Sequence, residues 1–178
     1  MSPAHPLPGS VSVRLAVALA GATGLVLMME QWPQWQHVLD PVTSALAHVT
    51  ELVLRHMQIP VARHSNVLAH PDGFSYRIDY ACSGARPATL IAVTLMVLPA
   101  SWIARIAGFC IALAGIEILN LLRLVHLYWI GVADPENFHL AHRILWNAVA
   151  IAAVIVFLSA WIAITGVNRA PRARVRHP

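Results

Sequence analysis

Three chemically reactive side chains stand where apolar segments of the chain begin or end. Cys82 lies in "IDYACSGARPATL" just before one apolar run, Arg123 ends another in "EILNLLRLVHLYWIG", and His142 begins a third in "FHLAHRILWNAV". A thiol, a permanent cation and an imidazole are the parts of a nucleophilic acyl-transfer site. If the apolar segments are membrane helices, all three side chains meet the same face of the bilayer. The sequence therefore predicts a cysteine-dependent catalytic site.

Each of these side chains has a defined role in such chemistry. The thiolate is the attacking form, and an ordinary cysteine pKa of about 8.5 leaves only a few per cent of it at neutral pH. We interpret Ser83 as the N-cap of the next helix and Pro87 as a first-turn residue, which places Cys82 at the positive end of the helix dipole. This position is expected to stabilise the thiolate. His142 would move the proton, and Arg123 would hold an oxyanion or a substrate carbonyl.

Nearby polar residues are candidates for supporting roles. Glu117, Asn120 and Arg123 recur along one side of the third apolar segment, so Glu117 is expected to face protein, where a carboxylate in a membrane needs a partner. Arg86, shortly after the cysteine, would either contact substrate or reach the membrane interface. Cys110 lies inside the third segment and is interpreted as a small buried hydrophobe. No structural disulfide is expected.

Composition places the chain in a membrane. Of its 178 residues, 58% are hydrophobic and only 11% are charged, against roughly 25% charged in soluble domains. Four segments are apolar enough to enter a bilayer core of about 30 Å: residues 12–29, 85–100, 103–122 and 141–165. The first is interpreted as a retained helix, because its positive end is weak and no small-residue cleavage site follows it.

The distribution of arginine predicts the orientation. Basic residues stay on the cytoplasmic side of a membrane, and the last ten residues carry four arginines, namely Arg169, Arg172, Arg174 and Arg176. With four spans, both termini are then cytoplasmic, and residues 30–84 and 123–140 lie outside. The remaining arginines are scattered singly, which argues against nucleic-acid binding.

The external segment 30–84 has its own organisation. In "VLDPVTSALAHVTELVLRHM" the apolar residues recur at helical spacing, which predicts an amphipathic helix along a surface: Val42, Leu46, Val49, Leu52 and Val53. Beyond Pro60, a "PDG" turn separates "VARHSNVLAH" from "FSYRIDYA", where apolar residues alternate. This pattern predicts a β-hairpin that leads directly into the cysteine.

The expected fold is therefore an all-α integral membrane protein with about four transmembrane helices, a periplasmic amphipathic helix and a small β-hairpin. We expect a single domain over 1–178. It would comprise the first membrane helix 12–29, the external segment 30–84, a three-helix catalytic core 85–165 and a basic cytoplasmic tail 166–178.

Three motifs in order resemble a known family. "ACSG" after a short strand, "NLLRLV" ending a membrane helix, and a histidine opening the last helix are similar to the exosortase/archaeosortase family of membrane-embedded cysteine transpeptidases. The resemblance covers roughly residues 38–165. It implies cleavage of a C-terminal sorting signal, made of a short motif, a hydrophobic helix and a basic tail, through a thioacyl-enzyme. It also implies transfer of the exported protein to an unidentified cell-surface acceptor, at the periplasmic face of the inner membrane.

The resemblance assigns the site residues one by one. The nucleophile is Cys82, the essential arginine is Arg123, and Asn120 occupies the position of an accompanying asparagine. "HRILWN" is similar to the H-x-x-x-W pattern of compact members, which favours His142 over His139 as the catalytic histidine. The chain departs from the family in having fewer predicted spans than larger members, and in the residues that follow "CSG".

Other function classes stay open on the sequence alone. A simple intramembrane thiol protease would use the same thioacyl-enzyme and resolve it with water. A non-catalytic membrane assembly or scaffold protein would tolerate loss of Cys82. The ten histidines suggest a metal or haem carrier, but they lack C-x-x-C or H-E-x-x-H spacing, so neither a metal nor a cofactor is expected.

Overall fold

The computed structural model describes residues 8–31, 34–98 and 100–165, so the predicted basic tail 166–178 lies outside the described residues. Short turns of 3-10 helix lie at Tyr80–Cys82 and Pro135–Asn137, and a π-helical turn lies at Ala141–Leu145. The elements in chain order are α1 (Pro8–Gln31), α2 (Gln34–His56), β1 (Ala62–His64), β2 (Val67–Ala69), β3 (Ser75–Arg77), α3 (Ala85–Val97), α4 (Trp102–Ala133), α5 (Phe138–Leu140) and α6 (Trp146–Thr165).

Two helical segments are long and apolar enough to cross a membrane, α4 and the segment Pro135–Thr165 that ends in α6. Many of their apolar side chains face outwards, with Ile103 82% and Ile164 83% exposed. The core helix of a soluble protein would bury such side chains, so their exposure indicates contact with lipid. The prediction of an all-α membrane protein is confirmed.

The other two predicted spans coincide with shorter apolar helices. Within α1 the most apolar stretch is Leu19–Met28, and α3 measures about 20 Å, which is less than the bilayer core of about 30 Å. α3 ends before the predicted residue 100, because the backbone at Leu98 is extended. α1 packs against α3, which also contacts α4 and α6. This packing buries one apolar core, which contains Ile91, Leu95, Leu98, Ala112, Val154 and Trp161.

α4 continues well beyond the predicted third span. Its 32 residues measure about 48 Å, which exceeds the bilayer core by about 18 Å. The later turns of α4 carry Leu124, Leu127 and Tyr128, all fully buried against the external elements. Arg123, predicted to end the span, therefore lies inside a continuous helix.

The predicted hairpin is part of a three-stranded antiparallel sheet in the order β1-β2-β3. Residue Leu68 pairs with Tyr76, and both side chains are buried, whereas Ser75 and Arg77 on the other face of β3 are exposed. The alternation seen in the sequence thus continues through Ile78 and Tyr80 as far as the cysteine. The sheet was larger than expected because residues 61–70 form two strands instead of one.

The predicted amphipathic helix is α2. Small and polar residues pack inwards, including Thr43, Ala47 and Thr50, together with Leu54. Val42, Val49 and Leu52, which we predicted to lie along a surface, are 43% to 54% exposed and lie on the outer side of the helix. Small residues let α2 approach α4 and the 3-10 turn closely, which explains the choice of face.

Candidate active site

Cys82 ends the 3-10 turn Tyr80–Cys82 between β3 and α3. Its N–H donates to the Asp79 carbonyl at 3.0 Å. Ser83 is not the N-cap predicted from the sequence: Gly84, in the left-handed conformation at φ 73°, occupies that position. The Ser83 hydroxyl instead donates to the Tyr80 carbonyl at 2.8 Å and accepts from the Ala85 N–H at 3.3 Å. Ser83 therefore ties the cysteine turn to the start of α3.

The environment of Cys82 differs from the expected one. The side chain is only 1% exposed, and burial raises the pKa of its thiol above the ordinary value, although a hydrogen bond with Tyr76 and the charge of Arg123 lower the pKa. The helix terminus was expected to stabilise the thiolate, but loss of water around the sulfur outweighs the stabilising neighbours. The thiol therefore needs a base to remove its proton.

His142 lies in the π-helical turn Ala141–Leu145, and its Nε2 atom is 3.8 Å from the Cys82 Sγ atom. The imidazole stacks on the Phe138 ring at a centroid distance of 5.7 Å and meets the Tyr76 ring edge-on at 6.3 Å. Rings on two sides restrict its orientation. Single π-helical turns inside α-helices frequently occur at functional sites.

Asn120 and Arg123 approach the cysteine from α4. The Asn120 Nδ2 atom donates to the Cys82 carbonyl at 2.8 Å, and the same side chain is hydrogen-bonded to Glu117. Glu117 is half-buried and faces protein, as predicted. Arg123 acts electrostatically on the Cys82 thiol, and its buried Nε atom has no hydrogen-bond partner among the described residues. A donor is thus left available in a side chain that lines the cavity near the cysteine turn.

Sequence reasoning missed Tyr76. The Tyr76 hydroxyl is 3.2 Å from the Cys82 Sγ atom, and the tyrosine is 6% exposed. Its signal was present in the alternating pattern of β3, which places Tyr76 on the same buried face as Ile78. The pattern identified a core position and not its contact with the cysteine.

A second missed contact joins α4 to α6. Trp146 Nε1 donates to His126 Nδ1 at 2.9 Å, and the two rings meet edge-on at a centroid distance of 5.6 Å. Trp146 is the residue directly after the π-helical turn that carries His142. The contact therefore anchors the end of that turn against the helix that carries Arg123.

An open cavity of about 630 Å³ extends from the cysteine turn between α1, α3, α4 and α6. Its end near the cysteine is lined by Arg86, Asn120 and Arg123, and its remaining wall is mostly apolar. The Arg86 guanidinium lies 6.0 Å from the centre of the Tyr80 ring. Arg86 lines the cavity, a position that the predicted role of substrate contact requires.

The remaining candidates lie elsewhere. His139 is exposed, and no contact of His139 with Cys82 occurs among the described residues. Cys110, expected to be buried, is exposed on α4. Within residues 8–31, 34–98 and 100–165, no group of three or more histidine, cysteine, aspartate or glutamate side chains is arranged to hold a metal ion.

Comparison with known proteins identifies a family. The family model described as transmembrane exosortase matches residues 10–160, which is most of the chain and includes every element from α2 to α5. No curated protein and no solved structure matches the chain. The chain therefore belongs to the transmembrane exosortase family and is a membrane protein involved in the processing of sorting signals.

Proposed function

We propose that this protein is a membrane-embedded cysteine transpeptidase that cleaves the C-terminal sorting signal of exported proteins through a thioacyl-enzyme. The observation that carries the proposal is the 3.8 Å approach of His142 Nε2 to Cys82 Sγ, and the charge of Arg123 acts on the same thiol. A nucleophile, a proton carrier and an anion-stabilising group, converging beside a cavity, are the components of acyl transfer. These residues come from three separate elements of the chain.

The first step is attack by sulfur. His142 takes the proton of the Cys82 thiol, and the sulfur bonds to the carbonyl carbon of the scissile peptide. Because burial raises the pKa of Cys82, the thiol is mostly protonated at neutral pH, and transfer of its proton to His142 belongs to the reaction itself. The separation of 3.8 Å is long for a hydrogen bond, and such contacts commonly tighten once substrate is bound.

Arg123 would stabilise the negative charge that develops on the substrate oxygen. Its Nε atom is buried without a partner among the described residues, so it can donate to a substrate without first breaking a bond in the protein. Donors aimed at a developing oxyanion in a water-poor site contribute strongly to catalysis. Asn120, which holds the Cys82 carbonyl, is assigned a positioning role, and His142 then returns its proton to the leaving amine.

The cavity would receive the hydrophobic helix of the sorting signal. Its lining runs along α6 from Trp146 to Ile162, a length of about 24 Å that is comparable to a membrane span. A helix of 10 Å diameter and that length occupies about 1,900 Å³, three times the cavity volume of about 630 Å³. We therefore infer that the substrate helix lies along the open side of the cavity, with one face inside and the other against lipid.

The proposed location is the cytoplasmic membrane of the cell, with both termini in the cytoplasm and the active site at the periplasmic face. Four arginines close to the C-terminus support this orientation. Cleavage at that face would separate an exported domain from its hydrophobic tail. The thioacyl-enzyme would then be resolved by an amine of a surface acceptor, or by water in a simple thiol protease.

The test is to read the C-termini of an exported reporter with a tripartite tail in cells that carry the wild-type protein, Cys82→Ala or Cys110→Ala. Cys110 is the matched control, because it is an exposed cysteine on α4. We expect tail removal with wild type and Cys110→Ala, and intact precursor with Cys82→Ala, as measured by mass spectrometry. A mass added at the new C-terminus indicates transfer, whereas a free carboxylate indicates hydrolysis.

Equal processing by wild type and Cys82→Ala would refute the proposed chemistry. The protein would then act as a non-catalytic membrane assembly or scaffold component, and Cys82 would be a small buried residue at a turn.

A further inference from the structure

The sheet and a neighbouring ring hold the Tyr76 side chain against Cys82. Its backbone pairs with Leu68 in the β2–β3 ladder, and its ring meets the Phe138 ring edge-on at a centroid distance of 5.6 Å. These contacts fix the hydroxyl at 3.2 Å from the Cys82 Sγ atom. That separation is shorter than the 3.8 Å between the same sulfur and His142.

A buried sulfur must obtain its charge stabilisation from the protein. Cys82 is 1% exposed, so little water can solvate a thiolate there, and the nearby Asp79 carboxylate disfavours the negative charge. A phenol O–H that donates to sulfur favours the charged form, and hydrogen bonds to charged groups are stronger than neutral ones. The phenol is positioned to make this bond at the moment when the proton leaves.

We propose that Tyr76 is a further catalytic residue, whose hydroxyl donates a hydrogen bond to the Cys82 thiolate after the thiol proton has passed to His142. Tyr76 keeps its own proton throughout, and no bond other than S–H is broken in this step. The inference rests on the assignment of Cys82 as the nucleophile in the proposed function.

The titration of Tyr76 supports the donor role. Burial, reinforced by the adjacent Cys82, raises the pKa of Tyr76 well above its ordinary value. The phenol therefore remains protonated over the range in which a cysteine titrates, so its O–H is present whenever the thiolate forms.

Tyr128 offers a matched control. It is a fully buried tyrosine whose hydroxyl also makes a hydrogen bond, to the Pro60 carbonyl at 2.8 Å. Tyr128→Phe removes one buried hydrogen bond, as Tyr76→Phe does, but it does not change the surroundings of the Cys82 sulfur. A difference between the two variants therefore reports on the thiolate and not on general packing.

The experiment measures the rate of Cys82 alkylation by iodoacetamide as a function of pH, in the purified full-length protein in detergent. A Cys110→Ala background leaves Cys82 as the only thiol. In Tyr76→Phe we expect the midpoint of the pH profile to move upwards and the rate at pH 7.5 to fall about ten-fold or more. In Tyr128→Phe we expect the midpoint of the parent protein.

Identical midpoints in Tyr76→Phe, Tyr128→Phe and the parent would overturn the proposal, because Tyr76 would then only pack against the cysteine. If Tyr76→Phe fails to fold, as judged by thermal unfolding, fluorotyrosine incorporated at position 76 replaces it. A more acidic phenol is a stronger donor, so the midpoint must then move downwards, and an unchanged midpoint refutes the role.

The alkylation assay needs no substrate, so its outcome is separable from that of the processing assay. If Tyr76→Phe shifts the midpoint but Cys82→Ala still processes the reporter normally, Tyr76 stabilises the thiolate, and the proposal that the protein is a cysteine transpeptidase is refuted. Loss of processing in Cys82→Ala with an unshifted midpoint would retain the transpeptidase and remove Tyr76 from its catalytic residues.

Discussion

Gly84, two residues after Cys82 at the start of α3, contacts α4, so its replacement by alanine is expected to destabilise the protein and to disturb the cysteine turn. Gly84 has φ 73°, and a Cβ atom built there would lie 3.0 Å from Glu117 Oε1 and 3.1 Å from Ile116 Cγ2. The left-handed conformation costs an alanine about 1–2 kcal/mol. The close contacts add about 1 kcal/mol, because both α4 side chains must move by a few tenths of an ångström. We therefore expect Gly84→Ala to lower the free energy of unfolding by about 2–3 kcal/mol.

Two other glycines separate these contributions. Gly73 has φ 99° and open space around its Cβ position, so Gly73→Ala should show the conformational cost alone. Gly115 lies within α4, also with nothing within 4 Å, and Gly115→Ala should stabilise the helix by about 0.5–1 kcal/mol. Thermal unfolding of the purified protein in detergent micelles measures all three variants.

Gly84→Ala should also reduce reporter processing more strongly than Gly73→Ala does. A displaced Glu117 disturbs Asn120, which holds the Cys82 carbonyl at 2.8 Å. Equal destabilisation by Gly84→Ala and Gly73→Ala, with equal processing, would refute the proposed contact of Gly84 with α4 and its connection to the cysteine.

Two further predictions concern pH. The rate of alkylation follows the thiolate fraction of Cys82, and burial raises the pKa of this thiol. The alkylation rate should therefore still be rising at the ordinary cysteine pKa of about 8.5; a plateau already below pH 7 would contradict this. The Glu51 carboxylate accepts a hydrogen bond from Arg63 Nε at 2.8 Å and lies 2.7 Å from Arg55. The hydrogen bond with Arg63 is the main cause that lowers the pKa of Glu51, and the positive charges of both arginines lower it further. The ionised Glu51 side chain therefore stabilises the folded protein above the ordinary glutamate pKa of about 4.3, and this stabilisation is lost as the pH falls through the lowered pKa. We expect Glu51→Gln to lower the free energy of unfolding by about 1–2 kcal/mol at pH 7 and to leave it unchanged at strongly acidic pH. Equal stability of wild type and Glu51→Gln at pH 7 in a urea titration would rule out a stabilising ion pair.

Much of the candidate site was predictable because membrane helices constrain the arrangement of their ends. The apolar runs of α3, α4 and α6 could be recognised from composition, and residues at their ends must meet near one membrane face. Cys82, Arg123 and His142 were selected on that ground, and the structure brings His142 to within 3.8 Å of the sulfur. Their catalytic roles remain predictions.

The choice between the two histidines depended on local helix geometry. His139 and His142 are three residues apart, and an ordinary helix would place both on a similar face. The π-helical turn Ala141–Leu145 changes the helical phase between α5 and α6, and apolar periodicity carries no clear signal for such a turn. The H-x-x-x-W resemblance favoured His142, and the tertiary structure adds the physical difference between the two, because His142 contacts the cysteine whereas His139 is exposed.

The sequence by itself determined the membrane class, the helical architecture and the family, because each depends on composition, apolar run length or short motifs. The tertiary structure decided the raised pKa of the Cys82 thiol, the contact of Tyr76 with the sulfur and the unpartnered Nε atom of Arg123. These properties depend on how much water and which neighbours surround one atom. Segments that are far apart in the chain determine both the water content and the neighbours around such an atom, so sequence periodicity and motif spacing do not predict them.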